Sequence, residues 1–178
     1  MNTISNKETA MLGLLSEKPK HAYEIKLDIE NRSMDYWTEI SQSSIYKLLN
    51  SLEKRNLVKS NIKLSKKNIS QKIYTITELG DKLFKAKLKA LISEWQPSIH
   101  SIDVALKNLN LLDKSEAMEC LNKYNSSLKE TINGYYELEK YLLDNHAHKA
   151  NIQLATRRIF MLKGEEKWLN IFMEEYNS

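Results

Sequence analysis

The segment from Ser41 to Thr77 reads SQSSIYKLLNSLEKRNLVKSNIKLSKKNISQKIYTIT, and its interpretation decides the fold. Ile45, Leu48, Leu49 and Leu52 recur at the i, i+3, i+4, i+7 spacing of one buried helix face. A helix advances about 100° per residue, so Ser43, Tyr46, Lys47, Asn50 and Lys54 gather on the opposite face. Ser41 can cap this helix, and Asn56 suits the left-handed position after it. Leu57, Val58, Ile62 and Leu64 then form a strand-like run that breaks at Ser65-Lys66-Lys67-Asn68. Ile69 to Thr77 returns as a second strand. The segment predicts a helix with a polar outer face, followed by a hairpin with a basic tip.

Charge is distributed in the same sense. The 178-residue chain has a net charge of +4, but residues 1–90 hold 17 Lys/Arg against 10 Asp/Glu and residues 91–178 hold 10 against 13. Eight basic residues and one acid lie between Lys47 and Lys72, which is the electrostatic footprint expected for phosphate contacts. A polar-faced helix and a lysine-tipped hairpin are what a winged helix-turn-helix needs to hold double-stranded DNA. In that reading the helix enters the major groove. Its early residues Ser41, Gln42, Ser43 and Ser44 can donate and accept, and Gln42 can pair two-pronged with adenine. Tyr46, Lys47 and Asn50 meet phosphate or base edges, although Tyr46 reads equally well as a half-buried structural phenol. Lys66, Lys67 and Lys72 on the wing contact the DNA backbone.

The remaining pattern supports a mainly α chain. A first helix is expected from Asn6 to Ser16, capped by Ser5 or Asn6, with Ala10, Met11, Leu14 and Leu15 inward. Pro19 follows its end, and a second helix spans Ala22 to Asn31. A fourth starts at the cap Thr77 and runs to Trp95, with Leu79, Leu83, Phe84, Leu88, Leu91, Ile92 and Trp95 as its stripe. Residues 1–95 thus read as a winged helix-turn-helix domain. Residues 96–178 read as a C-terminal helical domain. There Asp113 and Glu116 have capping-box spacing, and Ala117 to Leu142 step by three or four. Asp144-Asn145-His146 is a turn, and a last helix from Ile152 to Tyr176 is interrupted by Gly164. One αα-hairpin cannot fully bury two such stripes, so a second copy is the expected partner. Its dimerisation residues would be Leu121, Leu128, Tyr135, Leu138, Leu142, Ile159, Leu162, Leu169 and Phe172. The competing reading packs the hairpin on the wing domain of the same chain.

Other functional classes find little support. There is no G-x-S-x-G, dinucleotide-binding or phosphate-binding glycine motif and no H-E-x-x-H, so neither an enzyme nor a cofactor is expected. His146 and His148 lie near a turn without the spacing of a zinc set, so no metal is expected either. Cys120 is the single cysteine, which fits a reducing compartment, and it reads as a small buried hydrophobe. No signal-peptide pattern or bilayer-length apolar run appears, which suggests a soluble cytoplasmic protein and no membrane partner. Trp95 and Trp37 are the candidates for binding a small-molecule effector, against the commoner role of core aromatics.

Taken in order, several pieces resemble the PadR family of bacterial transcriptional regulators. They are Ala10-Met11-Leu12-Gly13-Leu14-Leu15, Ala22-Tyr23-Glu24-Ile25, Ser44-Ile45-Tyr46-Lys47-Leu48-Leu49, Leu52-Glu53, Leu57-Val58 and Tyr74-Thr75-Ile76-Thr77-Glu78-Leu79-Gly80. Met161-Leu162-Lys163-Gly164 followed by Trp168-Leu169 resembles the end of the family's longer C-terminal domain, the type shared with virulence activators. Ala22 stands where the family usually has glycine, and the wing has Lys66-Lys67-Asn68 and Gln71-Lys72 in place of arginine and glycine. The resemblance implies a homodimeric repressor, less often an activator, on a roughly palindromic operator. It also implies release by phenolic acids or flat hydrophobic compounds. The alternative from a different class is a helical adaptor whose winged helix binds protein, which would require an exposed apolar patch on the third helix.

Overall fold

The computed structural model describes residues 3–32, 34, 37–64 and 70–177, which form two compact units, Met1–Pro97 and Ser98–Ser178. The wing-tip residues Lys66 and Lys67 lie outside the described residues. The first unit contains α1 (Asn6–Glu17), β1 (Lys20–His21), α2 (Ala22–Asn31), α3 (Gln42–Lys54), β2 (Val58–Leu64), β3 (Ser70–Ile76) and α4 (Glu78–Ser93). The second contains α5 (Ser101–Lys107), a 3-10 turn (Leu109–Leu111), α6 (Lys114–Asp144) and α7 (Lys149–Asn177). The chain is mainly α, a winged helix-turn-helix followed by a helical hairpin.

Helix starts follow local chemistry. At α1, the Ser5 hydroxyl accepts from the Glu8 amide at 3.2 Å while the Ser5 amide donates to Glu8 Oε2 at 2.9 Å, a reciprocal capping box. His21 and Glu24 do the same at α2, with His21 Nδ1 as the acceptor. Asn56 adopts a positive φ of 56°, the left-handed turn expected after α3. Met11, Leu12, Leu14 and Leu15 of α1 pack with Ile25, Ile45, Leu49, Leu52, Leu57 and Tyr74 in one core. Phe84 and Leu83 of α4 lie against it.

The sheet is antiparallel in the order β1-β3-β2, with Val58 opposite Ile76 and Leu64 opposite Ser70. The two-residue β1 pairs Lys20 with Tyr74 and His21 with Ile73. The sequence reading has no β1, because two residues beside a proline carry no period-2 signal.

In the second unit α6 and α7 form an antiparallel hairpin in which Leu121, Leu128, Ile132 and Leu169 are buried. Tyr124 donates from its hydroxyl to Glu165 Oε1 at 3.0 Å. Burial, and then that carboxylate, push the phenol up to about 12.

Several local expectations are corrected. Helix α4 stops at Ser93, and Trp95, 85% exposed, lies beyond its stripe. Helix α7 runs unbroken through Gly164, where a side chain would meet nothing within 4 Å, so no close crossing exists there. Asp113 makes no side-chain cap bond at α6. Cys120 is exposed, because it sits one residue off the buried step from Ala117 to Leu121.

Gly80 is required by proximity. A Cβ there would stand 2.0 Å from the Leu57 carbonyl oxygen, which also accepts from the Thr77 amide at 3.1 Å and the Thr77 hydroxyl at 3.1 Å. Backbone is on the other side of that clash, so it cannot be relieved by a rotamer change. Gly80→Ala is expected to destabilise the chain by about 2–3 kcal/mol in urea unfolding, whereas Gly134→Ala, in open space, should not destabilise it.

Candidate nucleic-acid interface

Burial of Ile45, Leu49 and Leu52 fixes the rotation of α3 about its axis and leaves Gln42, Ser43, Tyr46, Lys47, Asn50 and Lys54 exposed. Tyr46 is 62% exposed, which favours the outward reading of this phenol over the structural one. Ser44 is half-buried and donates to the Ser41 carbonyl at 2.6 Å. Ser41 occupies the N-cap position without a side-chain cap bond; its hydroxyl lies 3.1 Å from that of Ser43. The expected Ser41 cap is therefore not made. Gln42 donates from Nε2 to Glu30 Oε1 of α2 at 2.8 Å.

The single acid of the basic segment is turned away from this face. Glu53 accepts from Lys72 Nζ at 2.6 Å and from the Ser60 hydroxyl. Lys72, and secondarily Ser60, hold its carboxyl below the usual range, and Glu53 in turn raises Lys72. The Lys72 ammonium also lies 5.1 Å from the Tyr74 ring centroid. Lys72, read from the sequence as a backbone clamp, thus has partners within the protein and ties the wing to α3. Among the described residues, Lys47, Lys54, Lys59 and Lys63 have no carboxylate partner. Lys59 and Lys63 were not singled out from the sequence, yet they are exposed and two-residue alternation places both on one face of β2.

Helix α2 is tied to α1 and β1 by charge. Lys20 of β1 is 0% exposed, and its ammonium donates to Glu17 at 2.9 Å and to Asp28 of α2 at 2.5 Å. Arg32 holds both oxygens of Glu17, with Nη2 to Oε2 at 2.8 Å. At the other end Glu8 of α1 accepts from Arg55 at 2.8 Å, joining α1 to the end of α3. These pairs tie α2 and the end of α3 each to α1.

The remaining candidates divide. Trp37 and Trp95 are both exposed, at 45% and 85%, rather than enclosed in a cavity. Leu121, Leu128, Ile159 and Leu169, expected to meet a second copy, are buried within one chain because the α6 and α7 stripes face each other. Leu162 and Phe172 pack against the same cluster, and Tyr135, Leu138 and Leu142 are half-buried. The outer faces instead expose Tyr136, Tyr141, Leu143, Phe160 and Ile171. Among the described residues no three His, Cys, Asp or Glu side chains gather as a metal set, and no helix is long and apolar enough to cross a membrane.

This geometry defines a winged helix-turn-helix protein with an appended helical hairpin. Residues 11–86 match the Transcriptional regulator PadR-like family. Bacillus subtilis PadR, solved in complex with operator DNA, is 17% identical and superposes with a TM-score of 0.76 over 95% of this chain and 98% of that one. The same protein with p-coumaric acid gives 0.71 at 18% identity, over 96% and 98%. The Vibrio cholerae virulence activator AphA gives 0.76 at 15% identity, over 97% and 98%. At such identities these likenesses establish the fold, including the longer C-terminal hairpin.

The charge anchor has a pH signature. Arg32, with a smaller contribution from Lys20, lowers the Glu17 carboxyl to about 2 against the partial opposition of burial. A carboxyl held below its unfolded value stabilises the fold above about pH 4.5 and loses that contribution as pH falls towards 2. The stability difference between the parent chain and Glu17→Gln should therefore be full at pH 6 and shrink steadily below pH 4.5, read from urea midpoints. A difference independent of pH would show that Glu17 is not the titrating anchor.

Proposed function

We propose that the chain is a homodimeric, sequence-specific DNA-binding transcriptional regulator, acting by default as a repressor. The observation that carries this reading is the solvent face of α3. It offers Gln42, Ser43, Tyr46, Lys47 and Asn50 with no carboxylate among α3's own outward residues, on a helix fixed by its buried side. Amides and hydroxyls read base edges, while Lys47, Lys54, Lys59 and Lys63 supply phosphate contacts that position the helix without reading sequence. Ser41, Ser44 and Lys72 act by shaping the interface, and Lys66 and Lys67 extend the basic wing. The complex of Bacillus subtilis PadR with operator DNA supports this assignment.

Residues 1–95 would bind DNA and residues 96–178 would dimerise. Because the inner stripes of α6 and α7 cover each other, the partner surface falls to the outer apolar residues, with Tyr136, Phe160 and Ile171 prominent. Two copies would then read a pseudo-palindromic operator. The p-coumaric acid complex of the same Bacillus protein supports release by a small phenolic or hydrophobic effector, with Trp95 and Trp37 as exposed aromatic candidates. Its partners and its lone thiol Cys120 fit a cytoplasmic setting. The adaptor alternative requires an apolar patch on α3, where Tyr46 is the one large exposed apolar side chain.

Selection of duplexes from a random pool by the full chain, followed by binding at several salt concentrations, tests the reading. A palindromic consensus is expected, and Lys63→Ala should flatten the slope of log K against log salt by about one while leaving the consensus unchanged. Recovery of no consensus, with binding no stronger than to arbitrary DNA at moderate salt, would overturn the regulator in favour of the adaptor.

A further inference from the structure

Four polar residues open α3, and they are held differently. Ser41 and Ser43 pair with each other, and Ser44 bonds the Ser41 carbonyl, so all three partners lie within the same turn. Gln42 alone among the four bonds a side chain from another helix, Glu30, the penultimate residue of α2. Glu30 is itself 3.7 Å from Lys26 one turn earlier, and both Gln42 and Glu30 are exposed. A carboxylate has no place in a surface that meets phosphates unless it does something there.

The chemistry of the pair supplies a role. An ionised carboxylate only accepts hydrogen bonds, so it can face the nitrogen of the Gln42 amide and not its oxygen. Glu30 therefore fixes which way the amide is turned. One N–H is committed to Glu30, and the second N–H and the oxygen remain available on an exposed side chain. A donor and an acceptor in that fixed relation match N7 and N6 of adenine in the major groove. With a freely rotating side chain, the flipped amide would present the reverse order, and the ordering cost would fall on each binding event.

Resting on the DNA-binding reading above, we infer that Glu30 is a positioning residue that locks the Gln42 amide and so determines base preference at the position Gln42 meets. The carboxylate also repels phosphate. Its removal should then strengthen binding to arbitrary DNA while weakening discrimination, a combination that loss of folding cannot produce.

The test uses the full chain and a duplex selected by it from a random pool, with every single base-pair substitution of that duplex. Gln42→Ala is expected to abolish the preference at one adenine position per half-site, which identifies the contacted base. That preference should be on the order of tenfold to a hundredfold in the parent chain. Glu30→Gln should reduce it several-fold at the same position and leave the other positions unchanged, with arbitrary-sequence binding equal or tighter. Unchanged preference in Glu30→Gln, or an equal loss at every position, would overturn the inference while the regulator reading stands. A parent chain that selects no sequence would overturn both.

Discussion

The close packing of Ile45, Leu49 and Leu52 against α1 and α2 is the constraint on which the interface depends. A helix buried along one stripe cannot turn about its axis without exposing those aliphatic groups, each worth about 1.5–3 kcal/mol of burial. The outer face is thereby specified to within a fraction of a residue step. Gln42, Ser43, Tyr46, Lys47 and Asn50 face water because their neighbours cannot. The direction of the α3 outer face is in this sense a by-product of core packing, to which the Gln42–Glu30 bond adds a local restraint in the first turn.

Charge then sets the angles that apolar packing leaves free. Lys20 is fully buried, and such a cation is tolerable only where carboxylates meet it. Its two partners come from different places, Glu17 at the end of α1 and Asp28 in α2, so the pairing aligns both with β1. Arg55 and Glu8 do the corresponding work at the far end of α3. Glu53 with Lys72 and Ser60 joins α3 to the wing. A basic segment whose one acid is spent internally retains its outward charge.

Much of this was legible in the sequence. The helical spacing of Ile45, Leu49 and Leu52 located α3 and its outer face, whereas the choice between an outward and a half-buried Tyr46 needed its exposure in the fold. What escaped depends on contacts between segments far apart in the chain. The strand β1 exists only because β3 pairs with it. Lys72 looked like a free clamp because Glu53 lies 19 residues away and meets it only across the folded wing. The pairing of Gln42 with Glu30 is hidden for the same reason. Lys59 and Lys63 are legible in principle through two-residue alternation along β2, although the charge run is densest at the tip.

The C-terminal hairpin shows the limit of periodicity most sharply. A stripe of Leu121, Leu128, Ile159 and Leu169 says that these positions are covered, and it is silent about what covers them. Here α6 and α7 cover each other, so those residues are buried within one chain. The apolar side chains left at the surface are those off the stripe, such as Phe160, 75% exposed, and Tyr136. They have no periodic signature of their own, because they lie outside the single stripe that α6 and α7 bury against each other. Folding of the hairpin thus draws on one set of residues of the two helices and leaves another set at the surface. A substitution in the exposed set then leaves the packing between α6 and α7 intact.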